Sequence, residues 1–293
     1  MAQWRERIGR VGVWAPTDGM TVAEAAAFAR LLEELGYGAL WLPETLGRDP
    51  FAHIAHLADQ TSSLVFATGI ASIHHRHPGV MLQAANTLAE QTGDRFVLGM
   101  GVSHAPFVQG LRGLPYDKPL STMRTYLEAM AASPYMAKAS DTPVPRLLAA
   151  LGPKMLELSA SHADGAHPYW TTPEHTAGAR EILGPDKLLC VEQKVVLCED
   201  PEAARATAVG ALAVYVDLPN YRNSWLRLGF SEDEISDRAP RFLDAVVAWG
   251  DVAAIRDRVQ QHHDAGADHV CLQVMTPGQP FRPDTDALRA LAP

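Results

Sequence analysis

The chain has 293 residues, of which 47% are hydrophobic and 20% charged, so it is long enough to bury a sizeable core. Its formal net charge of −9 argues against a general nucleic-acid binder, whose basic stripe would appear as clusters of Lys and Arg. The sequence has no apolar run near the ~20 residues of a membrane span and no apolar signal core at its N-terminus. Cys190, Cys198 and Cys271 lack metal-ligand spacing and fit free thiols in a reducing compartment. We therefore expect a soluble cytoplasmic protein with neither nucleic-acid nor membrane partners.

Short apolar runs and amphipathic segments alternate along the chain. After the first run, Thr21 and Glu24 have the spacing of a capping box, which predicts a helix that stops at Gly36. Further helices are predicted near residues 53–60 and 79–91. The eight predicted strands are residues 10–15, 39–43, 64–73, 95–102, 146–151, 163–167, 188–198 and 269–275.

Continuous apolar strands separated by helices indicate an α/β protein with a parallel sheet covered on both faces. Eight such strands over ~250 residues or more favour a closed (β/α)8 TIM barrel. An open doubly wound sheet is the main alternative, but no G-x-G-x-x-G follows the first strand, where WAPTDG stands instead. The GMG at residues 99–101 lacks the third glycine of that motif and is weak evidence for a dinucleotide site.

The segment between the seventh and eighth strands reads almost wholly helical, through PEAARATAVGALAVYV, FLDAVVAWG and DVAAIRDRVQQHHDAG. It holds two helices more than a barrel needs. We expect one domain over residues 1–293, with a helical insertion at roughly residues 200–250. The insertion would pack over the barrel mouth or against a second subunit, or it would contact the substrate directly.

Polar side chains follow directly after several predicted strands. In a closed barrel, the C-terminal ends of the strands carry the active site. The polar stretch HHRHPG directly follows the apolar third strand. Such an abrupt change is typical of a loop that lines the barrel mouth. The residues that this places at the mouth are Trp14, Glu44, Thr45, Ser72, Ile73, His74, His75, Gly101, Val102, Ser103, His104, Gly152, Pro153, Lys154, His167, Tyr169, Trp170 and Thr171.

Several motifs, in their order and spacing, resemble the luciferase-like monooxygenase superfamily over nearly the whole chain. They are GALWLPE, ATGIASI followed by RHP, an Arg-led strand ending LGMGV, ADG before a short strand, and WGD before HHDAGADHV. The stretches ADGAHPYWTTPEHTAGAREILGP and LPNYRNSWLRLGF look most like a branch assigned to the deazaflavin coenzyme F420 rather than FMN. The resemblance implies an oxidoreductase that moves a hydride between coenzyme F420 and a small organic substrate, and it implies a homodimer.

By the same resemblance, the ring of the cofactor lies across the ends of the third and fourth strands. Relatives carry a non-proline cis peptide bond at the end of strand three, which here would join Ser72 to Ile73. The phosphate and tail would bind after the sixth strand, where a helix predicted to start at Pro173 offers free N–H groups. The cofactor contacts that follow are Glu44, Ala71, Ser72, Ile73, Gly101, Val102, Ser103, Gly165, Ala166, His167 and Thr171, with Thr172 and His175 as further donors.

Three side chains are candidate catalytic groups. Glu44 stands where the superfamily places an acidic residue, although Thr45 replaces the histidine that normally follows it. Val102 stands where sugar-oxidising relatives carry a glutamate, so their substrate is not carried over. Proton transfer would then fall to His75 or His104, since imidazole titrates near neutral pH, and loop histidines that only donate hydrogen bonds are the alternative.

Three other functions fit parts of the sequence. An FMN-dependent monooxygenase would use the same barrel, and a carrier protein would bind the cofactor without turnover. A metal-dependent barrel hydrolase would use the H-x-H of His75 and His77, completed by His162, His167 or Asp268. That motif follows the third strand rather than the first, and we expect no metal site.

Overall fold

The computed structural model describes residues 1–293, apart from the side chain of Pro280. The strands are β1 (Val11–Trp14), β2 (Ala39–Leu42), β3 (Val65–Thr68), β4 (Ala71–Ser72), β5 (Phe96–Gly101), β6 (Arg146–Leu148), β7 (Gly165–Ala166), β8 (Leu188–Leu197), β9 (Val247–Gly250), β10 (His269–Thr276) and β11 (Gln279–Pro283). The helices are α1 (Ala2–Ile8), α2 (Val22–Glu34), α3 (Pro50–Ala58), α4 (Pro78–Gln91), α5 (Pro119–Ala132), α6 (Pro153–His162), α7 (Pro173–Leu183), α8 (Pro201–Leu212), α9 (Pro219–Arg227), α10 (Glu232–Ser236), α11 (Pro240–Val246), α12 (Val252–Asp264) and α13 (Thr285–Ala290), with a π-helix at Pro106–Leu111.

Eight of the strands close into a parallel barrel. Their order is β1, β2, β3, β5, β6, β7, β8 and β10, and β10 returns to β1, where Val270 pairs with Val11. Each coincides with one of the eight strands predicted from the sequence, so the TIM-barrel prediction is confirmed. Among the helices of the described chain, none is both long and apolar enough to cross a membrane.

The α2 helix begins as its sequence predicts. The Thr21 hydroxyl accepts the Glu24 N–H at 3.3 Å, and the Glu24 carboxylate accepts the Thr21 N–H at 2.6 Å. Pairing a terminal N–H of the helix in this way avoids the free-energy cost of an unpaired backbone donor. The helix ends just before Gly36, which adopts a φ of +84° that favours glycine.

The run predicted as one third strand is divided in two. The non-proline cis peptide bond joins Gly69 to Ile70, between β3 and β4, so its prediction between Ser72 and Ile73 was wrong. The break falls at the glycine because Trp14 packs there. The Trp14 indole N–H donates to the Gly69 carbonyl at 2.8 Å, and a Cβ on Gly69 would lie 2.7 Å from Trp14 Nε1.

The segment after β8 contains the helices α8 to α11, as expected, but its last part is a strand. Residues 247–250, predicted as helical, form β9 and pair in parallel with β8 over Lys194–Leu197. The reason is the length of β8, which at 10 residues extends past the two-residue β7 and leaves its edge free at Lys194–Leu197. Aromatic side chains of the insertion, Trp225 and Phe242 among them, form a hydrophobic cluster that includes Trp170 of the barrel mouth.

Candidate functional site

Glu44 is the residue that organises the end of the third strand. It follows β2, and its side chain is only 8% exposed. One carboxylate oxygen accepts the Ser72 N–H at 2.7 Å, and the other accepts Arg76 Nη1 at 2.6 Å. His75 Nδ1 lies 3.3 Å from the oxygen that binds Ser72. Glu44 therefore fixes β4 and the following histidines relative to β2.

Arg76 is held by charges on both sides. It also pairs with Asp49, and its guanidinium lies 4.6 Å from the centre of the Phe51 ring. Burial opposes its charge, but the carboxylates of Glu44 and Asp49 outweigh this and raise the pKa of Arg76 above its ordinary value. Since both acidic partners belong to the protein, Arg76 is not a spare cation for a bound phosphate.

The three histidines after β4 have different surroundings. Half-buried His74 has a buried Nε2 with no hydrogen-bond partner among the described residues. Burial, together with the neighbouring His75, lowers the pKa of His74. His77 Nδ1 accepts the Gly79 N–H at 3.2 Å and so caps α4. His75 and His77 thus serve different elements and do not converge on a metal.

The end of β5, the fourth strand of the barrel, is covered by Ile70, a residue that the sequence analysis did not select. A Cβ on Gly101 would lie 2.6 Å from Cδ1 of Ile70, so the half-buried Ile70 side chain lies directly over Gly101. The residues Ala71, Ser72 and Ile73 are buried beneath this surface. The available signal was the Gly-Ile pair in ATGIAS, because a glycine inside an apolar strand often marks a bulge.

His104 follows β5 in a partly buried position. Burial lowers its pKa to about 4, against a smaller opposite effect of the Asn220 side chain. Its ring lies 5.5 Å from that of Tyr221 on α9, which brings the insertion to the barrel mouth. At neutral pH His104 is uncharged, so it accepts or donates a hydrogen bond without carrying a proton ready for release.

Gly165 and Ala166 lie within β7 rather than in the loop after it. They pair with β6 and β8, and a Cβ on Gly165 would lie 2.0 Å from the Leu188 carbonyl oxygen. The glycine is needed for the close approach of two strands. His167 is buried, stacks on Trp41 at 4.3 Å, and places Nδ1 2.9 Å from the Cys190 carbonyl. Burial lowers its pKa to about 4.

The helix start predicted at Pro173 is confirmed. Thr172 is the N-cap of α7, and its hydroxyl accepts the His175 N–H at 3.5 Å. Two polar atoms beside this cap have no partner among the described residues: Oγ1 of Thr171, which is 1% exposed, and Nδ1 of His175. A helix N-terminus suits an anionic group, and the Thr171 hydroxyl is a donor at this one.

A buried ion pair lies beneath the loop after β7. Lys194 Nζ is 3.0 Å from Glu192 Oε1, and the two side chains are 1% and 0% exposed. Burial raises the pKa of Glu192 and lowers that of Lys194 to about 8, because desolvation disfavours both charges. The signal in the sequence was two charged residues, spaced i and i+2, inside the apolar run LLCVEQKVVL.

The remaining residues of the hydrolase alternative lie apart. Asp268 precedes β10 and pairs with Arg5 and Arg180, at the opposite end of the barrel from the histidines. Within the described part of the chain, no group of three or more His, Cys, Asp or Glu is placed to hold a metal ion.

The described residues enclose two small cavities whose linings contain none of the residues at the ends of β4 and β5. One is lined by Thr17, Arg48 and His53, and the other by Asp244, Trp249 and Arg258. The strand-end surface itself is half-buried rather than enclosed. We call it the rim shelf, and it consists of Ile70, His74, Val102, Ser103 and His104.

Comparison with models of known protein families identifies the family of this chain. Residues 8–269 match the family model of luciferase-like monooxygenases. The chain belongs to this family. It is therefore an oxidoreductase, and the resemblance found in the sequence is confirmed.

Individual luciferase-like relatives are distant. A putative coenzyme F420-dependent oxidoreductase of Mycobacterium tuberculosis is 24% identical, over 92% of this chain and 94% of its own length. The 5,10-methylenetetrahydromethanopterin reductase of Methanolobus tindarius is 25% identical, over 69% and 68%.

Solved structures share the fold. An F420-dependent secondary alcohol dehydrogenase, in complex with an F420–acetone adduct, superposes with a TM-score of 0.73 at 15% identity, covering 97% of this chain and 96% of the other. The oxygenating constituent of 3,6-diketocamphane monooxygenase from Pseudomonas putida, in complex with FMN, gives 0.66 at 14%, covering 90% and 91%. At these identities the likeness concerns the fold.

Proposed function

We propose that this luciferase-like protein transfers a hydride between the deazaflavin coenzyme F420 and a small organic substrate. The relatives named for coenzyme F420 support this choice, including one that matches over 92% of the chain. The observation that carries the proposal is the rim shelf, where Ile70 lies over Gly101 and Nε2 of His74 has no hydrogen-bond partner among the described residues.

The residues present fit a planar ring with a charged tail. The shelf is partly exposed, presents the apolar side chain of Ile70, and contains a buried polar atom, Nε2 of His74, without a partner among the described residues. The N-terminus of α7, with the Thr171 hydroxyl beside it, provides a place and a donor for a phosphate. Coenzyme F420 would supply the hydride-accepting carbon, and the protein would supply binding, orientation and electrostatics.

The residues of the shelf and those behind it then take two roles. Ile70, His74, Val102 and Ser103 would touch the ring, with His104 at its edge. Glu44, Ala71, Ser72 and Ile73 are buried, or nearly so, and would support the shelf from behind. His75, with Nδ1 3.3 Å from the Glu44 carboxylate, remains the candidate catalytic histidine that Glu44 positions.

The substrate would stand between the shelf and the aromatic side chains of the mouth and insertion. Trp14 and Tyr169 have ring centres 5.3 Å apart, and Tyr221 extends this aromatic wall toward His104. Aromatic faces of this kind suit a planar or apolar molecule.

The test is a parallel fluorescence titration of the purified protein with coenzyme F420 and FMN. We expect saturable binding of coenzyme F420, with FMN at least tenfold weaker. Tighter binding of FMN would favour the FMN-dependent monooxygenase, and binding without turnover of any tested substrate would favour a carrier. Binding of neither cofactor would contradict the proposal.

We also propose that the protein is a cytoplasmic homodimer in which residues 1–293 form one domain. Its three cysteines are free, which fits a reducing compartment. The insertion shares a hydrophobic cluster with Trp170 of the barrel, so we expect one unfolding transition. Sedimentation analysis and calorimetry test the two statements.

A further inference from the structure

The pair of Glu192 and Lys194 is fully buried, which costs both charges their hydration. A fully buried ion pair recovers its desolvation cost only in part, and apolar replacements of similar size are often as stable or more so. The pair is nevertheless placed inside the barrel, on alternate residues of β8 that face the same side. Its surroundings indicate what it does there.

The carboxylate of Glu192 uses each of its oxygens. Oε1 accepts Lys194 Nζ at 3.0 Å, and Oε2 accepts the backbone N–H of Trp170 at 3.2 Å. The backbone N–H of Glu192 also donates to the Pro168 carbonyl at 3.0 Å. The segment that follows β7 is thereby bound to β8 on both sides of Tyr169.

The ammonium of Lys194 lies among aromatic faces. Nζ is 3.5 Å from the ring centre of Tyr169, 4.0 Å from that of Trp170 and 5.8 Å from that of Tyr215. A desolvated cation over aromatic faces attracts each ring through its quadrupole. Lys194 therefore fixes the positions of the Tyr169 and Trp170 rings, which the Glu192 carboxylate brings close to it.

Trp170 needs this support because its backbone is left-handed. Its φ is +58°, a conformation that bulky residues rarely adopt. The N–H of Trp170 is held by Glu192, and its carbonyl accepts the Trp225 indole N–H from α9 at 3.0 Å. The next residues are Thr171, with its unpartnered hydroxyl, and Thr172, the cap of α7.

The contacts continue to the rim shelf. The Tyr169 ring lies 5.3 Å from Trp14, whose indole N–H donates to the Gly69 carbonyl next to Ile70. We infer that Glu192 and Lys194 form a positioning pair, which holds Tyr169 and Trp170 so that the aromatic wall and the α7 anion site face the shelf. Its effect on ligand binding rests on the proposed function, while its effect on Trp170 does not.

Two double variants test the inference by hydrogen exchange. Glu192→Met/Lys194→Met removes both charges and the acceptor for the Trp170 N–H. Glu192→Gln/Lys194→Met removes both charges but keeps an oxygen at that place. We expect the Trp170 amide to exchange at least tenfold faster in the first variant and within threefold of the parent rate in the second, with little change in Tm for either.

Unchanged exchange in the first variant, or equally fast exchange in the second, would overturn the inference. If the first variant does not fold, the second variant decides alone. An exchange rate at the Trp170 amide close to that of the parent supports the inference, and a tenfold faster rate overturns it. In the same proteins we expect the first variant to bind coenzyme F420 at least tenfold more weakly than the parent and the second to lie between them. A parent that binds no coenzyme F420 would refute the proposed function, and the exchange rates would still decide the positioning role.

Discussion

The two ends of the barrel satisfy their polar groups to different degrees. At the N-terminal end, Asp268 accepts Arg5 Nε at 2.8 Å, Arg180 Nη2 at 2.8 Å and the Leu189 N–H at 2.9 Å. One carboxylate there joins α1, α7 and two strands. This end is built for stability.

The C-terminal end leaves buried polar atoms without partners. Of the eight such side-chain atoms in the described residues, five lie in or directly after the loops that follow β4 and β7, and His263 Nε2 is an exception at the opposite end. The five belong to His74, His167, Trp170, Thr171 and His175. Since a buried polar group without a partner costs free energy, their concentration at this end supports the ligand site proposed above.

The largest expected effect on stability is that of Asp268→Ala, at the N-terminal end of the barrel. Asp268→Ala leaves two guanidinium groups and the Leu189 N–H without their acceptor, so the free energy of unfolding should fall by about 3 kcal/mol. Affinity for coenzyme F420 at temperatures where the variant is folded should stay within twofold of the parent, because the change is at the far end. Urea unfolding and titration measure the two quantities. A selective loss of affinity would show that the ends do not divide their roles.

Acid should destabilise the barrel through histidines buried in the uncharged state. Burial lowers the pKa values of His167 and His269 to about 4 and that of His262 to about 3. The unfolded chain binds these protons below about pH 6.5 and the folded chain does not, so stability is full above pH 6.5 and is lost as the pH falls toward 4.

We expect each of these histidines to reduce the free energy of unfolding by about 2 kcal/mol at pH 5. His262→Gln should make the pH dependence less steep, whereas exposed His56→Gln should leave it unchanged. Equal stability at pH 7 and pH 5 would contradict the buried uncharged state.

At the mouth, Glu44→Gln tests the support of the rim shelf. The amide keeps an acceptor for the Ser72 N–H but loses the charge that holds Arg76. We expect about tenfold weaker binding of coenzyme F420, or roughly 1.4 kcal/mol, with a smaller change in unfolding free energy. Glu24→Gln, which changes the carboxylate of the α2 capping box, is the control and should bind the cofactor normally.

The smallest expected effect is that of Thr171→Val, and it tests most closely whether the unpartnered groups at the C-terminal end serve a ligand. Thr171→Val removes a buried hydroxyl without a partner, so stability should stay equal or rise by about 1 kcal/mol while affinity for the cofactor falls. Thr176→Val is matched to it, since that hydroxyl bonds His262 Nδ1 at 2.9 Å, and it should lose about 1 kcal/mol of stability and no affinity. The same behaviour in both variants would mean that the missing partner of Thr171 has no functional meaning.

Local patterns predicted the elements of the barrel well. Runs such as ALWL in β2 and the Thr21–Glu24 capping box act through neighbours in the sequence, and both appear where expected. Features that depend on distant contacts were missed. The break at Gly69 is set by Trp14, and β9 forms because β8 extends past β7.

The candidate site was predicted in outline only. Glu44 and His75 do come together, through contacts that no spacing rule encodes. Ile70 takes the exposed place expected for Ile73, because the bulge lies three residues earlier. The role of Lys194 could not be read from one strand, since its aromatic neighbours come from the β7 loop and the insertion.

A crystal structure with coenzyme F420 bound tests the central claim most directly. We predict the deazaflavin ring in van der Waals contact with Ile70 and Val102, and its phosphate at the N-terminus of α7 beside Thr171. A ring bound elsewhere, for example in the cavity lined by Asp244, Trp249 and Arg258, would contradict the assignment of the rim shelf.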